Sequence, residues 1–353
     1  MSNSFFQPRR GGRPALATAL VLFAFGCGDD RTGPATETGA PLAAGDSTAA
    51  DSAATESPAG TPSGDSLSAT DSSAVGQAVL DTRPSVPGIV FGTYQLEVSQ
   101  MTQVHTGTLT GGGITESNVL SLLSGAKAKG GRVVLKLCMG RDSYIKNPDG
   151  SFSLTKWKAL VDRFRRVNLT PYIDDGTLVG HFLIDEPQRA SRWGGKVISP
   201  ATLEAMAQYS KQIWPTLTTF VRAEPVWLAS SAQSYRYLDA GWAQYASGKG
   251  NVASWVAGNV DAAMRKGLGL AVGLNVIDGG NGSSGIRGVS AGKWSMSATE
   301  VRNYGAALLN QSYACAFYNW TYVDSYYNRS DIKSAFGALS SLARSHARTS
   351  CRQ

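Results

Sequence analysis

The segment 178-LVGHFLIDEPQR-189 places an apolar run directly before two acidic residues and a proline. Runs of this kind are typical of a β-strand that is buried on both faces, as in a parallel sheet. Pro187 has no amide proton, so the strand cannot continue past it. The segment therefore predicts a buried strand that delivers Asp185 and Glu186 to its end. Because successive side chains of a strand alternate, the two carboxyl groups are expected to point to opposite sides.

Six other segments share this strand-like composition, and helical patterns separate most of them. The segments are 88–98, 132–140, 220–228, 237–245, 268–277 and 313–320. Four helices are predicted, within 153–167, 199–214, 297–309 and 330–347. The first three each begin with a serine at the N-cap. The second also has Pro200 at its first helical position, and the third has a capping box between Ser297 and Glu300. This alternation predicts a parallel sheet covered by helices.

The 271 residues from 83 to 353 suit a (β/α)8 barrel in which one strand is irregular or missing. Counting back from the last helix makes 178–186 the fourth strand, whereas counting forward makes it the third. The missing strand therefore lies in the N-terminal half or does not exist. A doubly wound open sheet is the alternative, and it is disfavoured because no glycine-rich phosphate-binding turn follows the first strand.

The chain before residue 83 is expected to lie outside the barrel domain. Residues 1–26 combine three arginines with an apolar run that is too short to span a bilayer, which predicts a signal peptide and export. "AFGC", ending at Cys27, is similar to a bacterial lipoprotein processing site, although Ala24 stands where leucine is more usual. An ordinary signal peptide with an incidental cysteine is the alternative. Residues 27–82 are rich in Ser, Thr, Ala and Asp and predict a disordered linker.

Charge divides sharply between the linker and the barrel domain. Residues 27–82 contain nine acidic residues and one basic residue, Arg31, whereas residues 83–353 carry a net charge of +12. A basic domain favours anionic neighbours such as acidic glycans, and contact with a membrane is expected only through a lipid anchor. Nucleic acid is not an expected partner, because no nucleic-acid-binding motif is found and the chain is predicted to be exported.

Three cysteines remain in the barrel domain. Cys351 lies beyond the last predicted helix, where a disulfide to the strand that carries Cys315 would hold the end of the chain, and export makes such a bond plausible. Cys138 lies in an apolar strand and is expected to be a small buried side chain. No CxxC or CxxH spacing is present, so the sequence predicts no metal site.

The Asp-Glu-Pro triplet at 185–187 resembles the Asn-Glu-Pro triplet that ends the fourth strand of many (β/α)8 glycoside hydrolases. The resemblance implies that Glu186 is the general acid/base and that Asp185 positions it. Trp320, at the end of the last strand, matches a tryptophan that lines the sugar site of many such barrels. The chain departs from the pattern at the seventh strand, where those enzymes usually carry a nucleophilic glutamate and this chain has only Asp278.

Glycoside hydrolysis needs two carboxyl groups, about 5–5.5 Å apart for retention or about 6.5–9.5 Å for inversion. Glu224, at the end of a neighbouring strand, is favoured as the second group, and Asp278 is the reserve. A structural ion pair between Glu224 and Arg222 is the alternative. Rings that can stack on sugars and amides that can bind hydroxyl groups gather near the strand ends. The predicted sugar-binding residues are Tyr94, Trp242, Gln244, Tyr245, Asn275, Tyr318 and Trp320.

The sequence thus predicts an exported glycoside hydrolase that cleaves a glycan at the cell envelope. A non-catalytic glycan-binding lipoprotein on the same scaffold is the rival. No cofactor is implied. The three histidines lack metal-ligand spacing and no Gly-x-Ser-x-Gly motif is present, which disfavours a metallohydrolase and a Ser-His-Asp hydrolase.

Overall fold

Eight parallel strands form a single sheet at the centre of the computed structural model, which describes residues 88–347, 350 and 351. The strands are β1 (Val90–Thr93), β2 (Gly107–Leu109), β3 (Arg132–Leu135), β4 (Leu178–Asp185), β5 (Thr218–Arg222), β6 (Ala240–Tyr245), β7 (Gly269–Leu274) and β8 (Ala314–Asn319). From β2 to β8, each strand pairs with the next one in the chain, and β1 pairs with β8.

The sheet is nearly closed into a barrel. β1 and β2 have no continuous ladder, but an isolated bridge joins Tyr94 to Leu109. The amide of Thr106 also donates to the carbonyl oxygen of Phe91 at 2.9 Å, and the amide of Gln95 donates to that of Leu109 at 3.0 Å. The (β/α)8 barrel that the sequence predicts is therefore confirmed, with an unsealed seam between its first two strands.

The strand that sequence analysis missed is β2. It has only three residues, Gly-Thr-Leu, and so lacks the apolar run that marks the other strands. Its place in the N-terminal half makes 178–185 the fourth strand, as the backward count gives. A second expectation was wrong: the strand predicted over 220–228 ends at Arg222. Pro225 occupies the start of a short helix, where its missing amide proton leaves no hydrogen bond unmade.

Helices follow most strands and cover the outside of the sheet. They are α1 (Val119–Ala128), α2 (Leu154–Asp162), α3 (Thr170–Asp174), α4 (Pro200–Ile213), α5 (Pro225–Ala229), α6 (Val252–Lys266), α7 (Ala298–Leu309), α8 (Asp324–Tyr327) and α9 (Ser330–Ser345). The predicted N-caps are present: the hydroxyl groups of Ser153, Ser199 and Ser297 each accept a backbone amide of the first turn. Within the described residues, no helix has the length and hydropathy of a membrane span.

The core has two layers. Aromatic side chains fill the barrel interior below its mouth, with Phe182 packed between Tyr94 and Trp242 at ring-centre distances of 6.5 and 6.1 Å, and Trp242 6.0 Å from Tyr318. A larger apolar layer lies between the strands and the helices. His181 belongs to that outer layer, stacked on Trp157 and bonded to the Ser210 hydroxyl at 2.8 Å, so it is a core residue.

The end of the chain is held at the bottom of the barrel. Cys351 forms a disulfide with Cys315 of β8, with 5.0 Å between the Cα atoms, and Cys138 is buried as expected. The predicted signal peptide, the predicted lipid-attachment residue Cys27 and the predicted linker 27–82 lie outside the described residues.

Candidate active site at the barrel mouth

Glu186 leaves β4 in an unusual backbone conformation. Its φ of +47° lies in the left-handed region, which non-glycine residues rarely adopt. This conformation breaks the alternation of the strand at its last step. The Glu186 side chain therefore turns to the side of Asp185, and both carboxylates contact the same two arginines. The expectation that Asp185 and Glu186 point to opposite sides was wrong, because regular strand geometry ends at Asp185.

Arg222, the last residue of β5, joins three polar groups of the mouth. Its Nε donates to Asp185, its Nη2 lies 2.9 Å from Glu186 Oε1, and its Nη1 donates to Gln244 Oε1 at 2.9 Å. The alternative ion pair between Arg222 and Glu224 does not form, since Arg222 pairs with the carboxylates of β4. Arg222 thereby fixes the relative positions of the ends of β4, β5 and β6.

A second arginine enters the site from the loop after β4. Arg192 lies in a short 3₁₀ segment, Ala190–Arg192, and its Nη1 is 2.8 Å from Asp185 and 3.1 Å from Glu186. The other face of the guanidinium group binds both oxygens of Asp142, at 2.5 and 3.1 Å. Arg189 adds a third guanidinium contact to Glu186, at 3.1 Å. The carboxylates of β4 are thus surrounded by arginines.

This surrounding charge determines the ionisation state of both carboxyl groups. Burial raises the pKa of Asp185, but Arg222, Arg192 and Lys136 more than offset it and hold that pKa well below its ordinary value. Burial and the neighbouring Asp185 likewise raise the pKa of Glu186, while the three guanidinium groups lower it more, so the net shift is downward. Glu186 is therefore a carboxylate at neutral pH. A carboxylate can act as a base or as a nucleophile, whereas the predicted role of general acid/base also requires a proton on Glu186.

A cleft of about 180 Å³ opens at the C-terminal ends of β4 to β7. Its lining includes five of the predicted site residues: Glu186, Glu224, Trp242, Gln244 and Asn275. Trp242 and Gln244 point into the barrel from the same face of β6, as their spacing of two residues predicts. The indole Nε1 and the amide Nε2 of these two residues have no hydrogen-bond partner within the described part of the chain. Both predicted catalytic glutamates therefore border one cleft that also presents an aromatic ring and amides.

Glu224 lies between β5 and α5, where it is the residue before the helix. One carboxylate oxygen pairs with the ammonium group of Lys249, and the other accepts the indole N–H of Trp255 at 3.3 Å. Lys249 also lies over the Trp255 ring, 5.2 Å from its centre. Glu224 is therefore held at the rim by one cation and one neutral donor.

The other predicted site residues lie outside the cleft lining. Tyr245 points outward and packs on Trp255 and Tyr304, because it occupies the opposite face of β6 from Gln244. Asp278 binds the backbone and hydroxyl groups of Ser290, so it braces its own loop. Tyr94 and Tyr318 are buried in the barrel interior, and Trp320 packs half-buried against that interior cluster.

Sequence analysis missed six polar side chains of the site: Lys136, Asp142, Gln188, Arg189, Arg192 and Lys249. Lys136 had a detectable signal, because it is the lone charge inside the apolar run "VVLKL" and lies two positions after Val134 on the inward face of β3. Arg192 and Lys249 lie in the loops after β4 and β6, where no periodic pattern indicates which way a side chain points. Their roles follow from tertiary contacts only.

Comparison with known proteins gives a fold but no family. No protein-family model and no curated protein matches the chain. The exo-β-1,4-mannosidase Op5Man5 from Opitutaceae bacterium strain TAV5 is similar in structure, with a TM-score of 0.50 and 11% identity over 74% of this chain and 62% of that one. A GH10 xylanase from termite gut has a TM-score of 0.49 and 10% identity over 75% of this chain and 78% of that one. The catalytic domain of the major endoglucanase from Xanthomonas campestris pv. campestris has a TM-score of 0.43 and 13% identity over 74% of this chain and 94% of that one. The likeness to the mannosidase agrees with the barrel fold described above, and at 11% identity it extends to the fold alone.

Proposed function

We propose that this barrel is a glycoside hydrolase that cleaves a glycan with Glu186 and Glu224 as its two carboxyl groups. The observation that carries the proposal is that both glutamates line one cleft at the mouth of the barrel, together with Trp242, Gln244 and Asn275. An indole ring can stack on the apolar face of a sugar, and amides bind its hydroxyl groups. The cleft thus combines a pair of carboxyl groups with side chains suited to hold a sugar between them.

The charges around each glutamate assign their roles. Glu186 contacts three guanidinium groups and stays ionised, so it serves as the nucleophile or as the base that activates water. Glu224 is then the proton donor to the departing oxygen, after its carboxylate has parted from Lys249 and has taken up a proton from solvent. This assignment reverses the one that the sequence resemblance implies. For Glu224 to reach a glycosidic oxygen, its contact with Lys249 at the rim must open when the glycan binds.

The first test is hydrolysis of neutral and acidic polysaccharides by the purified chain, measured as release of reducing ends. Glu186→Gln and Glu224→Gln should each lower the rate at least about a hundredfold. Asp261→Asn removes an exposed carboxylate of α6 and should leave the rate unchanged. Aryl glycosides with a good leaving group need little protonation, so Glu224→Gln should keep far more activity on them than Glu186→Gln. Equal losses of both variants on these substrates would contradict the assigned roles.

A non-catalytic glycan-binding protein is the second candidate. The observation that favours it is that each glutamate is paired with a cation and neither is a free acid group. The two candidates separate in the same experiment. If no polysaccharide is cleaved, yet one binds equally to the parent chain and to both glutamine variants, the carboxylates are structural and the binding protein is the correct account.

We also propose that the chain is exported, with Cys27 as the site of a lipid anchor. The support is the N-terminal sequence: three arginines, a short apolar run and "AFGC". Replacing Cys27 by Ser should release the protein from the membrane fraction of the cells that produce it. Unchanged membrane association of this variant would contradict the anchor.

A further inference from the structure

The two cations that line the cleft differ in how fully their donors are used. Only 12% of the Arg222 side-chain surface is accessible, and its Nε, Nη1 and Nη2 donate to Asp185, Gln244 and Glu186 respectively. Lys249 is exposed, with 36% of its side-chain surface accessible, and among the described residues its ammonium group pairs with a single carboxylate, that of Glu224. An ammonium group has three donor hydrogens. Lys249 is therefore the cleft cation that can accept a negatively charged group from a ligand.

Glu224 can lose Lys249 without losing its position. Its Oε2 accepts a hydrogen bond from the Trp255 indole N–H. In the chain, Glu224 directly precedes Pro225, the first residue of α5. The Lys249 side chain is attached to a separate 3₁₀ segment, Ser247–Lys249, that follows β6. Because the two partners belong to different elements and meet at an accessible rim, their ion pair contributes little to stability and can exchange.

We propose that the cleft recognises a sugar residue bearing one anionic group, a carboxylate or a sulfate ester, and that this group binds Lys249 in exchange for Glu224. This inference rests on the proposed function and names its substrate class. The exchange has a catalytic consequence. An anionic substituent on Lys249 frees the Glu224 oxygen that must approach the glycosidic oxygen, whereas a neutral sugar leaves Glu224 engaged.

The overall charge of the domain supports the same class of ligand. Residues 83–353 carry a net charge of +12, and a surplus of this size attracts polyanionic chains at low ionic strength. Inside the cleft, the negative charges of Glu186 and Glu224 are each balanced by a cation. A singly charged sugar can thus enter by replacing one anion at Lys249, and no buried cation has to be left without a partner.

Calorimetric titration of the full chain tests the exchange. The ligands are pectate and alginate oligosaccharides, their carboxyl-reduced forms, and sulfated carrageenan oligosaccharides. The parent chain should bind an anionic oligosaccharide at least about tenfold more tightly than the reduced form of the same oligosaccharide. The uronate and carrageenan arms distinguish a carboxylate from a sulfate ester as the recognised group. This preference should weaken as salt is raised, because an exposed ion pair is screened.

Three variants isolate Lys249. Lys249→Met should abolish the preference for the anionic ligand, and Lys249→Arg should largely retain it. Lys333→Met removes the same charge from the exposed surface of α9 and serves as the matched control, with the preference unchanged. Glu224→Gln should strengthen binding of the anionic ligand several-fold, because it removes the carboxylate that competes for Lys249. Thermal unfolding of each variant shows whether it is folded.

The outcomes separate this inference from the proposed function. If a glycan binds and is cleaved, but reduced and anionic forms bind equally and Lys249→Met has no effect, the inference is wrong and the hydrolase proposal stands. If Glu224→Gln weakens binding of the anionic ligand, the exchange is also wrong. If no oligosaccharide of any class binds or is cleaved, the proposed function itself fails.

Discussion

The backbone at Glu186 determines which groups its carboxylate meets. With a φ of +47°, the side chain joins that of Asp185 and shares Arg222 and Arg192 with it. Such a conformation costs about 1–3 kcal/mol and persists only where the surroundings impose it. Here, the guanidinium contacts and the Trp193 indole, which donates to the Glu186 carbonyl oxygen at 3.0 Å, hold it in place. The sequence identifies both carboxylates, but it cannot predict this turn, since no residue type in "DEP" requires it.

Arg222 should be the residue of the site whose loss most destabilises the protein. Arg222→Met leaves the buried Asp185 with fewer cationic partners, and we expect the free energy of unfolding to fall by about 3–5 kcal/mol. Arg222→Lys should cost less than Arg222→Met, but a lysine cannot contact Asp185, Glu186 and Gln244 at once. The measurement is unfolding by urea at neutral pH.

Arg189 provides the matched control for this prediction. It pairs with Glu186 at 3.1 Å, but 37% of its side chain is exposed. Arg189→Met should therefore change stability by only about 0–1 kcal/mol. If the Arg222 and Arg189 variants unfold at the same urea concentration, the buried network is not what stabilises the barrel mouth.

At the scale of elements, local signals predicted some segments well and others not at all. Helices that begin with a serine N-cap were found because the cap and the first turn are adjacent in sequence. β2 was missed because three residues cannot show a periodic pattern, and its pairing with β3 is long-range. The strand predicted up to residue 228 ran into α5 because apolar residues such as Val226 and Leu228 suit either structure.

The seam between β1 and β2 should tolerate no side chain at Gly92. A Cβ atom there would lie 2.2 Å from the carbonyl oxygen of Gly107, so closure requires glycine. Gly92→Ala should destabilise the protein by about 1–3 kcal/mol or more, as expected of an overpacked site. Gly258→Ala places the same methyl group in open space within α6 and should stabilise by up to about 1 kcal/mol. Thermal unfolding of the two variants should thus shift in opposite directions, and a common direction would contradict the close approach at the seam.

The disulfide should account for a measurable part of the stability of the C-terminal end. Cys315 and Cys351 are 36 residues apart, and a loop of this length is expected to contribute about 2–4 kcal/mol. Cys351→Ser should lower the free energy of unfolding by about this amount. The double variant with Cys315→Ser should lose nearly the same, because the second change removes no further bond. Clearly additive losses would show that the two cysteines contribute through packing instead.

At the scale of the whole molecule, the barrel explains why part of the site could be predicted. The C-terminal ends of parallel strands converge on one mouth, so Glu186, Gln244 and Asn275 could be grouped before any contact was known. Residues that follow the strand ends by several positions, such as Arg192 and Lys249, depend on how each loop returns to the mouth. The sequence does not show which of these cations reach Glu186, so it cannot predict that the pKa of this carboxyl group is lowered.

The dependence of stability on pH should show two separate windows. Burial lowers the pKa of His181 from 6.5 to about 3 and that of His105 to about 4. Below pH 6.5, the unfolded chain therefore takes up protons that the folded chain does not bind, and stability falls with falling pH. The pKa of Asp185 is also depressed: burial raises it, but the neighbouring arginines lower it more. Its contribution is complete above its ordinary pKa of about 4 and is lost as the pH falls below that value.

Urea unfolding from pH 8 to pH 3 tests the order of these two windows. The free energy of unfolding should decline first between about pH 6.5 and 4, and further below about pH 4. His181→Gln should make the first decline shallower, because only the contribution of His105 then remains in it, and the decline due to Asp185 should persist. Asp185→Asn should lower stability at neutral pH and flatten the second decline, because its folded-state ion pairs no longer titrate. A profile that is flat between pH 6.5 and 4 in the parent chain would mean that His181 is charged or solvated in the folded barrel, contrary to its complete burial beside Trp157 and Ser210.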